Sequence, residues 1–315
     1  MSDTVLRAAV IGVGHLGRHH ARILSSIDGA RLEAVVDVNE PRAREIASGV
    51  GARALTSARD LLGHVDLVSI ATPTETHAGI ATLFLEQGIP VLVEKPLARS
   101  VAEADAIIAA ADRSGAALAV GHTERFNPAV MAARPAVDNP GFIEVHRLGT
   151  FPERSLDIDV VFDLMIHDLD LVLSIVQSEI ESIEAVGVPV LTDRFDIANA
   201  RLRFASGCVA NITASRISRD RTRKIRFFQR DAYISIDTGA KEAEIYRLVR
   251  TPGRRPAIEG GKIPVPEGEP LRNELQDFVD AVRFGRAPLV GGQDGRRAVA
   301  LAAEITDRMA ACIRT

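Results

Sequence analysis

The chain has no tryptophan, two tyrosines and an aromatic content of only 4%. Stacking platforms for nucleic-acid bases are therefore excluded, because they need rows of exposed π-faces. It has two cysteines, Cys208 and Cys312, far apart and without metal-ligand spacing. That excludes a disulfide-stapled scaffold and fits a reducing, cytoplasmic setting. Neither sign of charge dominates: 38 Lys and Arg stand against 42 Asp and Glu, for a net charge of −4. A nucleic acid or an anionic membrane surface is not expected as a bulk partner on that balance. No apolar run approaches the ~20 residues of a membrane span. Met1-Ser2-Asp3-Thr4 leads almost at once into a strand pattern, so no signal peptide is expected.

What is present is the composition of a soluble globular protein, 46% apolar and 25% charged, in 315 residues. That length suggests two domains. The apolar run Val5 to Ile11 ends in Gly12-Val13-Gly14-His15-Leu16-Gly17, and helix-like sequence follows. A second apolar run, Leu32 to Val36, closes on Asp37, twenty positions beyond Gly17. Strand, glycine turn, helix and distal acid together form the dinucleotide fingerprint. Gly12 lets the chain turn, Gly14 admits a pyrophosphate to the backbone, and Gly17 lets helix and strand pack closely. Gly12, Gly14, His15, Leu16 and Gly17 are thus the expected phosphate-binding turn, at a helix N-terminus suited to anions. Asp37 would accept the ribose hydroxyls and repel a 2′-phosphate, which favours NAD over NADP. Arg42 and Arg44 lie in the helix beyond it, and Arg42 remains able to meet a phosphate.

Strand-like and helix-like segments alternate through the first part. Strands are expected at Val5–Ile11, Leu32–Asp37, Leu67–Ala71, Val91–Glu94 and Leu118–Gly121, as continuous apolar runs typical of a buried parallel sheet. The βαβ rhythm implies an α/β, doubly wound sheet. Ser100 fits a helix N-cap, with Glu103 completing a capping box. After Asn127-Pro128 the rhythm changes to strands joined by short turns, with helices near 160–177, 271–284 and 296–313. The stretch 251–268, rich in Pro and Gly, reads as a surface loop. The expectation is a nucleotide-binding domain over 1–122 and an α+β domain with a large, mostly antiparallel sheet over 123–315.

Three clusters carry candidate chemistry. Thr72, Pro73 and His77 follow the Leu67–Ala71 strand, where open α/β sheets bind ligands, and are placed beside the nicotinamide ribose. The same residue types suit an ordinary capped turn. Glu94-Lys95-Pro96 follows Val91–Glu94. A lysine at a buried strand end is unusual, and desolvation would let it exchange protons near neutrality. A cis bond to Pro96 would turn Lys95 sharply. Taken alone, this cluster reads more simply as a strand leaving toward a surface ion pair. The third is the helix around Asp163, His167, Asp170 and Ser174, spaced i, i+4, i+7 and i+11 and so on one stripe. Asp163 can orient the His167 ring, and an imidazole suits proton abstraction from an alcohol. A stripe facing water explains the spacing equally well. A metal site is not expected, since the single histidine lacks a second ligand cluster.

Together the glycine motif, Glu94-Lys95-Pro96, Gly121 to Pro128 and Asp163-x-x-x-His167 resemble the Gfo/Idh/MocA oxidoreductase family over essentially the whole chain. The resemblance implies a Rossmann domain, an open-faced second domain, and homodimers or homotetramers through the large sheet. It implies hydride transfer from a sugar-like carbon to the nicotinamide, with catalytic roles for Lys95, Asp163 and His167, and contacts to the cofactor from Glu94 and Lys95. Within the family, Phe151 to Ser155, Asp157 to Asp168 and Glu124 to Pro128 are similar to members that oxidise UDP-N-acetylglucosamine at carbon 3 for lipid A or polysaccharide synthesis. That likeness adds Arg125, Asn127 and Arg154 as substrate contacts beside Lys95, Asp163 and His167. Arg216, Arg219, Arg221, Arg223, Lys224, Arg226 and Arg230 would suit a diphosphate, although such a run also fits a solvated strand face. Dehydrogenation of inositol or a free aldose, and a non-catalytic NAD-dependent sensor, are the other readings.

Overall fold

The computed structural model describes residues 5–151, 158–252 and 254–313. The chain divides into two compact units: 1–123 with 270–299, and 124–269 with 300–315.

In the first unit, β1 (Leu6–Ile11), α1 (Gly17–Leu24), β2 (Ala30–Val36), α2 (Glu40–Val50), β3 (Arg53–Leu55), β4 (Leu67–Ile70), α3 (His77–Leu85), β5 (Val91–Glu94), α4 (Val101–Ser114) and β6 (Leu118–Gly121) follow in order. They form a six-stranded parallel sheet, ordered β3-β2-β1-β4-β5-β6. The chain reverses between β3 and β4, which makes the C-terminal ends of β1 and β4 the topological switch point, where such sheets bind ligands. β4 and β5 are buried at every residue, as the unbroken apolar runs require. Ser100 caps α4 as expected, its Oγ accepting from Glu103 N–H at 3.2 Å, but the Glu103 carboxylate turns back to Arg99 N–H rather than to Ser100. The edge strand β3 was not foreseen, because its three residues, one exposed and two half-buried, make no apolar run.

In the second unit, α5 (Pro128–Ala133), β7 (Phe142–Leu148), a π-helical turn (Val161–Met165), α6 (Ile166–Ile175), β8 (Ile180–Val188), β9 (Ile197–Phe204), β10 (Val209–Ser215), β11 (Thr222–Gln229), β12 (Ala232–Asp237), β13 (Glu242–Val249) and β14 (Ala257–Ile263) follow. The eight strands run β14-β13-β12-β11-β7-β10-β9-β8. Every pairing is antiparallel except β7 with β10. Ile143, Val145, Ile212, Ala200, Leu202, Ile225, Phe227, Ile234 and Ile236 are buried on one face. The alternate residues Phe142, Glu144, Asn211, Asn199, Arg226 and Tyr233 are only half-buried on the other.

Two expectations are corrected. The stretch 251–268 is not a loop throughout, since β14 pairs with β13. Gly260 there has φ +154°, and a Cβ on it would lie 2.0 Å from Ile245 O, so glycine marks close strand contact here. The stretch 270–299, expected in the second domain, belongs to the first unit. There α7 (Pro270–Phe284) places Leu275, Phe278 and Val279, spaced i, i+3 and i+4, in one core with Ile23 and Leu24 of α1. The boundary between units then falls inside α8 (Gly292–Ile313).

Candidate active site

The glycine turn has the form its sequence demands. Gly12 adopts φ +82°, and a Cβ there would come within 2.7 Å of Ala71 O. A Cβ on Gly17 would sit 1.7 Å from Gly12 O, so turn and helix touch with no room for a methyl group. At Gly14, by contrast, a Cβ would meet nothing within 4 Å. The space above that backbone is open, as a pyrophosphate would need. His15 and Leu16 are exposed on the same turn. No side chain caps α1 and no acid lies in its first turn, which leaves the positive end of the helix to an anion. These residues fit the phosphates of a dinucleotide.

Asp37 follows β2 and is 8% exposed. Its Oδ2 accepts from Val13 N–H at 3.1 Å and its Oδ1 from Asn39 N–H at 2.9 Å, so main-chain amides aim the carboxylate at the glycine turn. Arg42 Nη1 stands 3.8 Å from Oδ2, nearer than its place in the following helix suggested.

After β4, Thr72 is half-buried and Pro73 exposed. Neither Thr74 nor Thr76 caps a helix with its side chain; Thr76 Oγ1 instead lies 2.7 Å from Thr72 Oγ1 and 2.8 Å from Pro73 O. His77 corrects the expectation of a cofactor contact. It is buried, with Nδ1 3.0 Å from Pro96 O and Nε2 2.9 Å from Thr72 O. Both ring nitrogens are engaged by the main chain, so the ring braces the loop after β4 against the loop after β5.

At the end of β5, Glu94 is buried and Lys95 half-buried, and the Lys95–Pro96 bond is cis. Glu94 Oε1 lies 2.9 Å from His20 Nε2, and Glu94 Oε2 accepts from Lys95 N–H at 3.1 Å. His20 Nδ1 lies 2.8 Å from Ser69 Oγ. Burial alone would push the Glu94 carboxyl up, but the His20 bond and the charge and amide of Lys95 outweigh it and hold it below the usual carboxylate range. Glu94 is thus a buried support for the Lys95 main chain. Sequence reasoning passed over His20 and Ser69. The available signal was a histidine three residues beyond Gly17, on the face of α1 shared with Ala21 and Leu24.

In the second unit the expected continuous helix starts with the π-helical turn that carries Asp163, and His167 sits in the first turn of α6. Such turns are rare and concentrate at functional sites. Asp163 and His167 are half-buried. The foreseen stripe splits after them. Asp170 is buried, its oxygens accepting from Arg125 Nε at 2.7 Å and Nη2 at 2.8 Å. Ser174 Oγ donates to Leu171 O at 2.7 Å. Asp168, next to His167, is gripped in the same way by Arg147 Nε at 2.7 Å and Nη2 at 2.8 Å, while Arg147 Nη1 donates to Glu124 at 3.0 Å. Burial opposes the Arg147 charge, but Asp168 and Glu124 overcome it and push its pKa further up.

The entry to this helix is pinned from outside. Arg216 is buried, with Nε on Asp196 at 2.8 Å, Nη1 on Ile158 O at 2.6 Å and Nη2 on Thr192 at 3.0 Å. Asp196 also accepts from the amides of Val190, Leu191 and Thr192. Burial would raise its carboxyl, but those amides and Arg216 hold it far below the usual range.

Two of the three expected substrate contacts have protein partners here. Arg125 directs its guanidinium at Asp170, which takes both Nε and Nη2. Asn127 is 3% exposed and caps α5, accepting from Ala129 N–H while its amide donates to Glu124 and Thr238 O, so it is a structural residue. Arg154 lies outside the described residues. The arginine run also disperses: Arg216 turns inward to Asp196, Arg226 pairs with Glu144 at 2.6 Å, and Arg230 stands at the β11–β12 turn. Arg219, Arg221 and Arg223 remain exposed together before and at the start of β11.

No helix among the described residues is long and apolar enough to cross a membrane. Residues 6–122 match the oxidoreductase family with an NAD-binding Rossmann fold, and residues 142–235 match the GFO/IDH/MocA C-terminal domain. A UDP-N-acetylglucosamine 3-dehydrogenase from Acidithiobacillus ferrooxidans is 40% identical over 95% of this chain and 96% of its own. A solved structure of the enzyme so named from that organism superposes with a TM-score of 0.91, covering 97% of this chain and 98% of its own at 39% identity. A myo-inositol 2-dehydrogenase from Thermotoga maritima is 28% identical over 94% of each chain.

Proposed function

The chain belongs to the Gfo/Idh/MocA oxidoreductases, and from that premise we propose that it oxidises UDP-N-acetylglucosamine at carbon 3 with NAD. The observation that carries the substrate is the 40% identity, across nearly both full lengths, with a dehydrogenase of that name. Arg219, Arg221 and Arg223, each exposed and close in sequence, support a ligand bearing a diphosphate, since guanidinium groups pair with phosphates in a fork geometry.

Gly12, Gly14, His15, Leu16 and Gly17 would hold the phosphates of NAD and Asp37 its ribose, and NAD would supply the hydride acceptor. Thr72 and Pro73 would border the nicotinamide. His167 takes the hydroxyl proton, and Asp163, one turn before it, orients the imidazole. Lys95 donates a hydrogen bond to the same oxygen and stabilises the charge that develops there. Positioned acid–base help of this kind is worth about a hundred- to ten-thousandfold. The neighbouring acids Asp168 and Asp170 are neutralised by Arg147 and Arg125. His167 therefore works beside paired charges rather than in a bare acidic field.

The test is turnover of NAD with a panel of UDP-sugars, free aldoses and myo-inositol, with mass detection of a product lighter by two hydrogens. UDP-N-acetylglucosamine is expected to react best, and preference for myo-inositol would move the chain to the inositol dehydrogenases among its relatives.

We also propose a homo-oligomer through the half-buried face of the eight-stranded sheet. Phe142, Phe228, Tyr233 and Tyr246 form a ring row across it, with successive centroids 5.6, 5.2 and 6.4 Å apart. Rows of this kind suit burial by a second copy. Sedimentation of wild type against a Phe228→Glu, Tyr246→Glu variant tests it. The buried free thiol of Cys208 supports a cytoplasmic setting.

A further inference from the structure

We propose that His20 is a positioning residue for the reaction, acting through Glu94 to fix the main chain from which Lys95 rises. The inference rests on the reading of Lys95 as the group that meets the reacting oxygen.

His20 is wholly buried on the inner side of α1, as is Ser69 in β4, and Glu94 is 6% exposed. Polar groups that far from water are costly unless each is bonded. Here each is, and the carboxylate fixes the direction of its bond to the ring. A carboxylate only accepts, so His20 Nε2 carries the hydrogen that points to Glu94 Oε1 at 2.9 Å. On the other side of the ring, Nδ1 is bonded to the Ser69 hydroxyl at 2.8 Å. The chain of hydrogen bonds therefore joins Ser69, His20 and Glu94, across β4, α1 and β5.

Its end point is Lys95. The second oxygen of Glu94 accepts from Lys95 N–H at 3.1 Å, so the carboxylate is held on both sides. Gly121 closes the remaining wall: a Cβ there would come 3.0 Å from Glu94 Oε2. The residue after Lys95 is braced as well, because His77 Nδ1 lies 3.0 Å from Pro96 O. Two buried histidines thus grip the main chain on either side of the Lys95 side chain, one through a carboxylate and one directly. A half-buried lysine at a strand end otherwise has four rotatable bonds and a movable stem. Misplacement of a reacting group by about 1 Å costs about a hundredfold in rate, which is the effect such a grip prevents.

The glycine turn is not part of this network, so the expected effect falls on kcat rather than on NAD. His20→Leu, which keeps bulk and removes the donor, should lower kcat about ten- to a hundredfold. Its NAD dissociation constant, read by fluorescence titration, should stay within about twofold of wild type. His20→Gln, which can return an N–H to Glu94, should recover most of that loss. Ser69→Ala, a small change that spares the fold, should cost a few-fold in kcat with the same NAD affinity. In a Lys95→Ala background, His20→Leu should add nothing further, because the group it positions is gone.

Melting temperatures taken on every variant separate folding from rate. A folded His20→Leu or Ser69→Ala protein with wild-type kcat overturns the inference, as does a Gln variant no better than Leu. If Lys95→Ala alone kept wild-type turnover, the reading of Lys95 itself would fall. A dead Lys95→Ala beside an active His20→Leu would sink only the role given to His20.

Discussion

At the end of β5, a buried carboxylate is held by an imidazole and a main-chain amide, with no arginine against it among the described residues. In α6, two buried carboxylates are each clamped by a guanidinium fork. The difference is one of net charge. Glu94 keeps its negative charge and lends it to the lysine that follows it. Asp168 and Asp170 have theirs cancelled, so they fasten α6 without adding an acid field around His167. The same residue type thus holds charge for use in one unit and removes charge from use in the other. The first arrangement is expected to matter to rate, the second to stability.

The largest expected effect tests the first half of that contrast. Lys95→Ala should lower kcat about a hundred- to ten-thousandfold while NAD binding and melting temperature stay close to wild type. Steady-state kinetics beside cofactor titration would read it. A parallel fall in NAD affinity would instead make Lys95 a cofactor ligand. The second half is tested by Arg147→Met, which strands Asp168 and Glu124 without their cation. Removing one partner from a buried pair costs about 3–5 kcal/mol, so urea denaturation should show most of the stability lost. The protein that still folds at low temperature should keep its KM for substrate.

These contrasts were only partly legible in the sequence. The glycine turn, Asp37, the strand ending in Glu94 and the helix around His167 all rest on local pattern, and local pattern reads well. β5 and β6 have the bounds their apolar runs suggest. What could not be read joins residues far apart. His20 and Glu94 are separated by 74 positions, and Arg125 and Asp170 by 45. Nothing near Arg125 says that its partner lies in α6. The N-cap role of Asn127 is local, but its bond to Thr238 O reaches 111 positions along the chain. The π-helical turn is invisible because it keeps the apolar content of the helix and changes only its pitch.

A smaller effect separates a third kind of buried carboxylate from the other two. Asp196 is held mainly by amides with Arg216 added, and its folded pKa lies below the unfolded value of about 3.9. A depressed carboxyl contributes stability above its unfolded pKa and loses it as pH falls toward the folded value. Asp196→Asn should therefore cost about 1–3 kcal/mol at pH 7, with the gap to wild type closing below about pH 4. Denaturation curves at both ends of that window would show it. A gap of equal size at both would place the loss in packing rather than in charge.

The smallest effect concerns the ion pair at the cofactor turn, which looks most like the α6 clamps and should behave least like them. Arg42 is about half exposed and stands 3.8 Å from Asp37, beyond hydrogen-bond distance and on one atom only. Exposed pairs of this kind contribute about 0–1 kcal/mol. Asp37 does not depend on it for aim, because Val13 and Asn39 amides already fix both oxygens. Arg42→Ala should accordingly change the NAD dissociation constant by less than about fivefold. Its place becomes evident once the carboxylate is removed. In Asp37→Ser the guanidinium loses its counter-charge, and a 2′-phosphate can take it, so discrimination against NADP should fall. Arg42→Ala added to Asp37→Ser should restore part of that discrimination. If the double variant bound NADP as well as the single one, the carboxylate alone would set the preference, and the pair would be only a surface contact.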